Sequence, residues 1–206
     1  MSEAHDAIII GSGPNGLAAA IQLAQSGANV TILEAAETPG GGVRSAELTL
    51  PGYIHDVCSA VHPMGVLSPY YRTLPLEDHG LKWIHPPASV AHPLDEGPAA
   101  LLYKSLDATA ENLDADGPKW KSSYQPFLKD PHGLLADFLG PLKIPKNPYR
   151  MARFGIPPLR PAVGHATSRY KTKRAQALFA GCAAHSILPL DKLATAAVGH
   201  MFALSA

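Results

Sequence analysis

The stretch from Asp6 to Glu34 restricts the possible folds more than any other part of the chain. Asp6–Ile10 closes on three isoleucines, a short β-branched apolar run that reads as a buried strand and stops at Gly11. From Pro14 to Ser26 the residues are helix formers, with Leu17, Ile21 and Leu23 supplying an apolar face, and Gly27 is placed to end the helix. Asn29–Leu33 is a second β-branched run. Residues 6–34 are therefore expected to form one βαβ unit, which commits the start of the chain to a parallel strand pair with a crossover helix.

The turn between the first strand and the helix reads Gly11-x-Gly13-x-x-Gly16. In that context each glycine has a distinct reason. Gly11 permits the tight turn, Gly13 lets backbone approach a pyrophosphate, and Gly16 lets helix and strand pack closely. The helix N-terminus then presents free N–H groups and the positive end of its dipole, and Pro14 occupies a position where no donor is needed. Gly11, Ser12, Gly13, Pro14, Asn15 and Gly16 are thus candidate cofactor-binding residues. Glu34 ends the second strand about twenty residues further on, where its carboxylate can accept from both ribose hydroxyls of an adenosine. A 2′-phosphate would meet a like charge there, which favours FAD or NAD over NADP.

Downstream lies Glu34-x5-Gly40-Gly41-x2-Arg44-Ser45. Gly40 and Gly41 allow a second close backbone approach beside the first loop, and Arg44 can offer a phosphate a bidentate charge that does not titrate. This run resembles the second FAD-contacting motif of the flavin amine oxidase and phytoene desaturase superfamily. The segment Leu48–Pro63 is similar to the phytoene-desaturase-like branch of that superfamily, and weaker similarity of texture continues to about Phe179. The resemblance implies an FAD-dependent oxidoreductase that transfers a hydride from an apolar small-molecule substrate to flavin and passes electrons to an acceptor the residues do not identify. It also implies a much longer protein, with a second glycine-rich segment and a substrate tunnel beyond Ala206. The expected fold class is α/β, a Rossmann-like FAD-binding βαβ unit followed by the start of a mixed α+β substrate domain.

Eighteen of the 20 prolines follow residue 50, so long regular elements are not expected through the middle of the chain. Residues 1–70 are read as the βαβ unit and glycine-pair loop, and 71–140 as a hairpin with short helices. In the latter, Asp95-Glu96-Gly97 turns between Ser89–Leu94 and Ala99–Ser105. Asp107 is expected to cap a helix reaching Leu113. Asp116 with Pro118 would start another that places Trp120, Tyr124, Phe127 and Leu128 on one face, and Asp130 with Pro131 a third. Residues 141–161, rich in proline and basic side chains, are read as a linker, and 162–206 as a helical segment still running where the chain stops, hence a truncated one.

The net charge of zero conceals an asymmetry. Residues 1–118 carry four basic against fourteen acidic side chains, and residues 119–174 twelve against two. Between 143 and 160 basic residues alternate with Ile144, Tyr149, Met151, Phe154, Ile156 and Leu159, which suggests peripheral contact with an anionic membrane. No nucleic-acid motif accompanies the charge. No apolar run approaches the ~20 residues of a spanning helix, no basic targeting segment precedes Arg44, and Cys58 and Cys182 form neither a framework nor a metal spacing. A cytoplasmic setting is expected, or the mitochondrial matrix in a eukaryote, with no metal and two buried free thiols. His55, Asp56 and His62 read as a hydrogen-bonded structural cluster, and the catalytic residues are unknown. Two other functions fit less of the chain: a truncated nucleotide-binding remnant without turnover, and an NAD-dependent dehydrogenase, which would leave Gly40, Gly41 and Arg44 without a purpose.

Overall fold

The computed structural model describes residues 5–139, 144, 148–155 and 159–205. The chain divides into two compact units, Met1–His62 and Pro63–Ala206.

In the first unit, β1 (Ala7–Ile10) and β2 (Val30–Leu33) pair in parallel with Ala7 opposite Val30, and α1 (Pro14–Gln25) crosses between them. Gly27 turns the chain at φ +94° after the helix, as its position predicts. The antiparallel pair β3 (Ser45–Glu47) and β4 (Ile54–Asp56) follows. One expectation fails in β1: Ile8 and Ile10 are 57% and 87% exposed. A two-stranded sheet with one crossover helix has a layer on one face only, so alternate side chains of the strand stay uncovered.

The second unit is built on the hairpin of β5 (Ala88–His92) and β6 (Ala100–Tyr103), at the position the turn residues indicate. A two-stranded hairpin is marginal in water. Here α3 (Leu106–Asn112) secures its outer edge, because Asn112 Oδ1 accepts from Leu101 N at 2.7 Å and Thr109 Oγ1 accepts from Tyr103 N at 2.9 Å. The helix is capped by Ser105, whose hydroxyl accepts from Ala108 N, and Asp107 instead lies in the first turn, ion-paired with Lys121. Then come α4 (Gly117–Tyr124), α5 (Pro131–Leu139), α6 (Pro148–Gly155), α7 (Ala162–Arg169), α8 (Lys173–Ala184) and α9 (Thr195–Ser205). Asp130 Oδ1 accepts from Gly133 N at 2.8 Å at the start of α5, where the sequence places a helix beginning.

Trp120, Tyr124, Tyr170, Phe179, Leu102 and Leu178 form the centre of this unit's core. Trp120 packs on Tyr124 and Tyr170 with ring centroids 5.0 and 5.4 Å apart. Leu128, expected to join them, is 43% exposed, because regular helix ends at Tyr124 and the later turn points it outward. Small residues set the helix crossings: a Cβ on Gly199 would stand 2.9 Å from Phe179 Cζ. The supposed linker also departs from expectation. Proline is tolerated in a first helical turn, so α6 forms from Pro148, buries Phe154 and packs Met151 against the core. Ile144, Tyr149 and Leu159 are exposed, whereas Lys143, Lys146 and Ile156 lie outside the described residues. Among the described residues no helix is long and apolar enough to cross a membrane.

Asp116 does not cap α4 as its position suggested. Its carboxylate accepts from Lys171 N at 3.0 Å, Thr172 N at 2.6 Å and Thr172 Oγ1 at 2.7 Å, pinning the entry of α8. Burial alone would raise its pKa, but the hydrogen bonds from Thr172 and Lys171 outweigh it and hold the carboxyl below its ordinary 3.8. A carboxyl depressed in this way contributes stability that is complete above the ordinary value and is lost as pH falls through the lower folded value. Asp116→Asn should therefore cost roughly 1.5–3 kcal/mol at neutral pH. It should also remove part of the fall in urea midpoint seen below about pH 4; identical pH profiles for the two proteins would show that the carboxylate carries no such load.

Candidate dinucleotide site

The first loop has the geometry its glycines predict. Gly11 sits at φ +93° and donates to Leu33 O at 2.7 Å, tying the end of β1 to the end of β2. A Cβ at Gly16 would lie 2.1 Å from Gly11 O, so the third glycine is required by the contact between helix and loop. Gly13 stands at the N-cap of α1 with space beside it on all sides but one. No side-chain oxygen caps this helix, Pro14 fills its first turn and no acidic residue lies there. The first N–H groups, at Asn15 and Gly16, are thus left facing outward for an anion.

The remaining side of Gly13 is closed by the second loop. A Cβ on Gly41 would be 2.9 Å from Gly13 Cα, and Gly40 N donates to Ser12 O at 3.1 Å. Gly40 and Gly41 both have positive φ, at +119° and +56°. Arg44 lies against Gly40, and its Nε donates to Gly41 O at 2.9 Å, which braces the side chain and leaves both terminal nitrogens for another acceptor. The structure thus brings together the two glycine loops and Arg44, which are 28 and more residues apart in sequence from Ser12.

Glu34 is more occupied than the spacing alone suggests. Its Oε2 accepts from Ser12 N at 2.8 Å and Ser12 Oγ at 2.5 Å, and its Oε1 from Ala36 N at 2.9 Å. Those bonds, the Ser12 hydroxyl first, hold the carboxyl at about 2, well under its ordinary 4.5. A carboxylate offers about four lone-pair positions, and three are filled by the protein itself. One ribose hydroxyl can be accepted directly; a second must replace the Ser12 hydroxyl. The buried Ser12 therefore matters through its side chain, which nothing in the fingerprint indicates.

His55, Asp56 and His62 are held apart. His55 Nε2 bonds Thr49 Oγ1 at 2.7 Å, Asp56 Oδ1 accepts from Ser45 Oγ at 3.0 Å, and His62 Nδ1 lies 3.4 Å from Ser59 Oγ. Each has its own local partner, and no relay links them. Among the described residues no three His, Cys, Asp or Glu side chains gather as metal ligands. Cys182 is buried, which pushes its thiol up to about 12, but Cys58 is exposed, contrary to the expectation for it, because β4 ends before it and leaves it beside the open turn at Gly42.

A parallel strand pair, its crossover helix, a glycine turn at the helix N-terminus and a carboxylate ending the second strand together define a Rossmann-type dinucleotide-binding unit. Residues 9–74 match the NAD(P)-binding Rossmann-like domain family. The chain is also similar to several curated enzymes. It is 28% identical over 136 residues to one of the subunits of limonene dehydrogenase from Castellaniella defragrans, covering 66% of this chain and 24% of that protein. It is 31% identical to the neurosporene-forming phytoene desaturase of Cereibacter sphaeroides over 63% of this chain and 25% of that protein. To the mouse pyridine nucleotide-disulfide oxidoreductase domain-containing protein 2 it is 36% identical over 50% of this chain and 17% of that one. The matches thus span a quarter or less of these relatives' own lengths. A solved putrescine oxidase shares the fold at 19% identity, with TM-score 0.53, over 94% of this chain and 40% of that one.

Ser12→Ala should raise the Glu34 carboxyl pKa from about 2 toward its ordinary 4.5, since the lost bond is the main cause of the depression. Carbon-13 titration of the labelled carboxyl reads this directly. An unmoved pKa would mean that the backbone donors alone hold the charge.

Proposed function

We propose that this chain forms the FAD-holding part of an oxidoreductase. The observation that carries the reading is the contact between Gly41 and Gly13, with Arg44 braced beside it. A site for NAD alone uses the first glycine turn and the strand-end carboxylate; here a second glycine loop and a guanidinium are built onto the same spot.

The residues present fit the group. Gly13 and Gly41 leave a cradle that any Cβ would narrow, and the first N–H groups of α1 supply donors for a pyrophosphate. Arg44, with its Nε committed to Gly41 O, has its two terminal nitrogens left for phosphate oxygens. Glu34 is positioned as ribose acceptor and, with its pKa at about 2, keeps its charge at any physiological pH. The chemistry FAD supplies when bound is acceptance of a hydride from a substrate C–H bond. An apolar small-molecule substrate agrees with the names of the relatives, a limonene dehydrogenase and a phytoene desaturase. Because the match spans a quarter or less of those proteins, the residues here are assigned the holding of the cofactor, and the whole reaction is assigned to a longer protein.

The complete protein should purify with flavin absorbance, and Gly13→Glu should weaken flavin retention by placing bulk and charge in the cradle. Arg44→Ala should weaken FAD binding by roughly 1.5–3 kcal/mol, and Arg44→Lys should restore part of that, since lysine lacks the planar fork. Titration of apoprotein with FAD, followed by fluorescence, gives the dissociation constants. Equal constants for wild type and Arg44→Ala would assign that side chain elsewhere. Tight NAD binding without flavin would favour a nicotinamide dehydrogenase, and binding of ADP alone a nucleotide-binding unit without turnover.

Contact of the 143–160 stretch with an anionic membrane belongs to the same reading, supported by the exposure of Ile144, Tyr149 and Leu159 beside basic residues. Co-sedimentation should show stronger binding to anionic than to neutral vesicles at low salt; equal binding would refute it.

A further inference from the structure

The second unit carries a half-open cleft of about 550 Å³ that the dinucleotide reading does not use. Four basic side chains line it: Lys119 from α4, Arg153 from α6, Arg160 from the approach to α7, and Arg169 from the end of α7. Among the described residues no acidic side chain lines it, and neither Arg153 nor Arg160 has an ion-pair partner. Like charges gathered around one space repel unless something neutralises them. A surface where charge serves only solubility mixes both signs.

The rest of the wall is polar and aromatic. Ser122, Ser123 and Ser168 also line it, their hydroxyls donating to Lys119 O at 2.9 and 2.8 Å and to His165 O at 3.1 Å, so the wall's open donors are the cationic ones. Arg169 is already oriented, donating from Nε and Nη2 to Ser123 Oγ at 3.2 and 2.8 Å. His165 and His200 close the floor, 6% and 8% exposed, with their Nε2 atoms 3.1 Å apart and His165 Nδ1 buried without a partner. Burial first, then Arg169 for His165 and His165 for His200, hold the two imidazoles far below their ordinary 6.5, at about 4 and about 3, so they are neutral and add no charge of their own. Phe127 and Phe154 meet edge to face, 5.0 Å apart, along one side and give an apolar surface beside the cationic one.

We propose that this cavity binds the phosphate group of an organic phosphate, with the phosphate on Arg153, Arg160, Arg169 and Lys119 and the organic body against Phe127 and Phe154. A carboxylate would leave three of the four cations unbalanced, whereas a phosphate dianion accepts several donors at once and suits the guanidinium fork. The volume lies within the ordinary range for small-molecule sites, about 300–1,000 Å³. This inference is independent of FAD binding, which rests on residues of the first unit.

The test uses the 206-residue chain, titrated calorimetrically at low, fixed ionic strength with phenyl phosphate, inorganic phosphate and sodium acetate. Phenyl phosphate is expected to bind at one site, more tightly than phosphate and far more tightly than acetate; phosphate equal to phenyl phosphate would assign the site to the free ion and overturn the organic half of the proposal. Arg153→Gln and Arg160→Gln, both exposed at the rim, should each weaken binding roughly tenfold. Gly13→Glu should leave it unchanged, which separates this cavity from the dinucleotide loop. Amide shift changes on adding phenyl phosphate to the wild type should centre on Ser122, Ser123 and Ser168, a readout that needs no variant. Absent binding, acetate binding as tightly as phenyl phosphate, equal affinity in the arginine variants, loss in Gly13→Glu, or shifts confined to residues 11–44 would each overturn the proposal.

Discussion

Close approach of backbone to backbone, possible only where a side chain is missing, governs the geometry of both units. In the first, Gly16 lets α1 rest on the Gly11 carbonyl, and Gly41 lets the second loop back onto Gly13. In the second, Gly117 sits where a Cβ would be 2.1 Å from Ala110 O. Contacts of this kind cannot relax by rotating a side chain. They fix distances between elements to within a fraction of an ångström, and the polar groups that matter are then placed by geometry already set.

A carboxylate completes each arrangement. Glu34 fastens the first loop, and Asp116 fastens the start of α8, in both cases by taking backbone N–H and hydroxyl donors from one short segment. The two differ in surroundings. Glu34 is open to solvent, so its charge is available to a ligand, whereas Asp116 is buried and its charge is consumed by the fold. The same chemistry thus leaves one carboxylate exposed and commits the other to the fold.

The βαβ unit could be read from the chain because its signals are local: β-branched runs, a glycine turn and a stop glycine fall within about thirty residues and agree with one another. The hairpin at Asp95–Gly97 was legible for the same reason. What escaped depends on partners distant in sequence. Ser105 and Asp107 are both competent caps, and the choice between them is made where β6 delivers the chain. The helix over Pro148–Gly155 was hidden by the density of prolines, which read as breaks, although Pro148 itself occupies a first-turn position. Of the site, the glycines, Glu34 and Arg44 were visible as a pattern, while the bond from Ser12 to Glu34 was not, since serine in a turn carries no signal of its partner 22 residues away. The excess of basic residues over 119–174 was plain, but that four of them line one cavity with a buried histidine pair depends on helix crossings that no periodicity encodes.

The Ser12 hydroxyl also bears on how a ligand is taken up. With Glu34 as its acceptor and Gly40 N–H as its donor at 3.3 Å, it leaves the empty loop internally satisfied. A ligand therefore meets a loop that is already ordered, and little conformational entropy remains to be lost on binding. Were Glu34 to accept both ribose hydroxyls of a dinucleotide, one hydrogen bond would be exchanged for another, and Ser12 would be the group that changes partner.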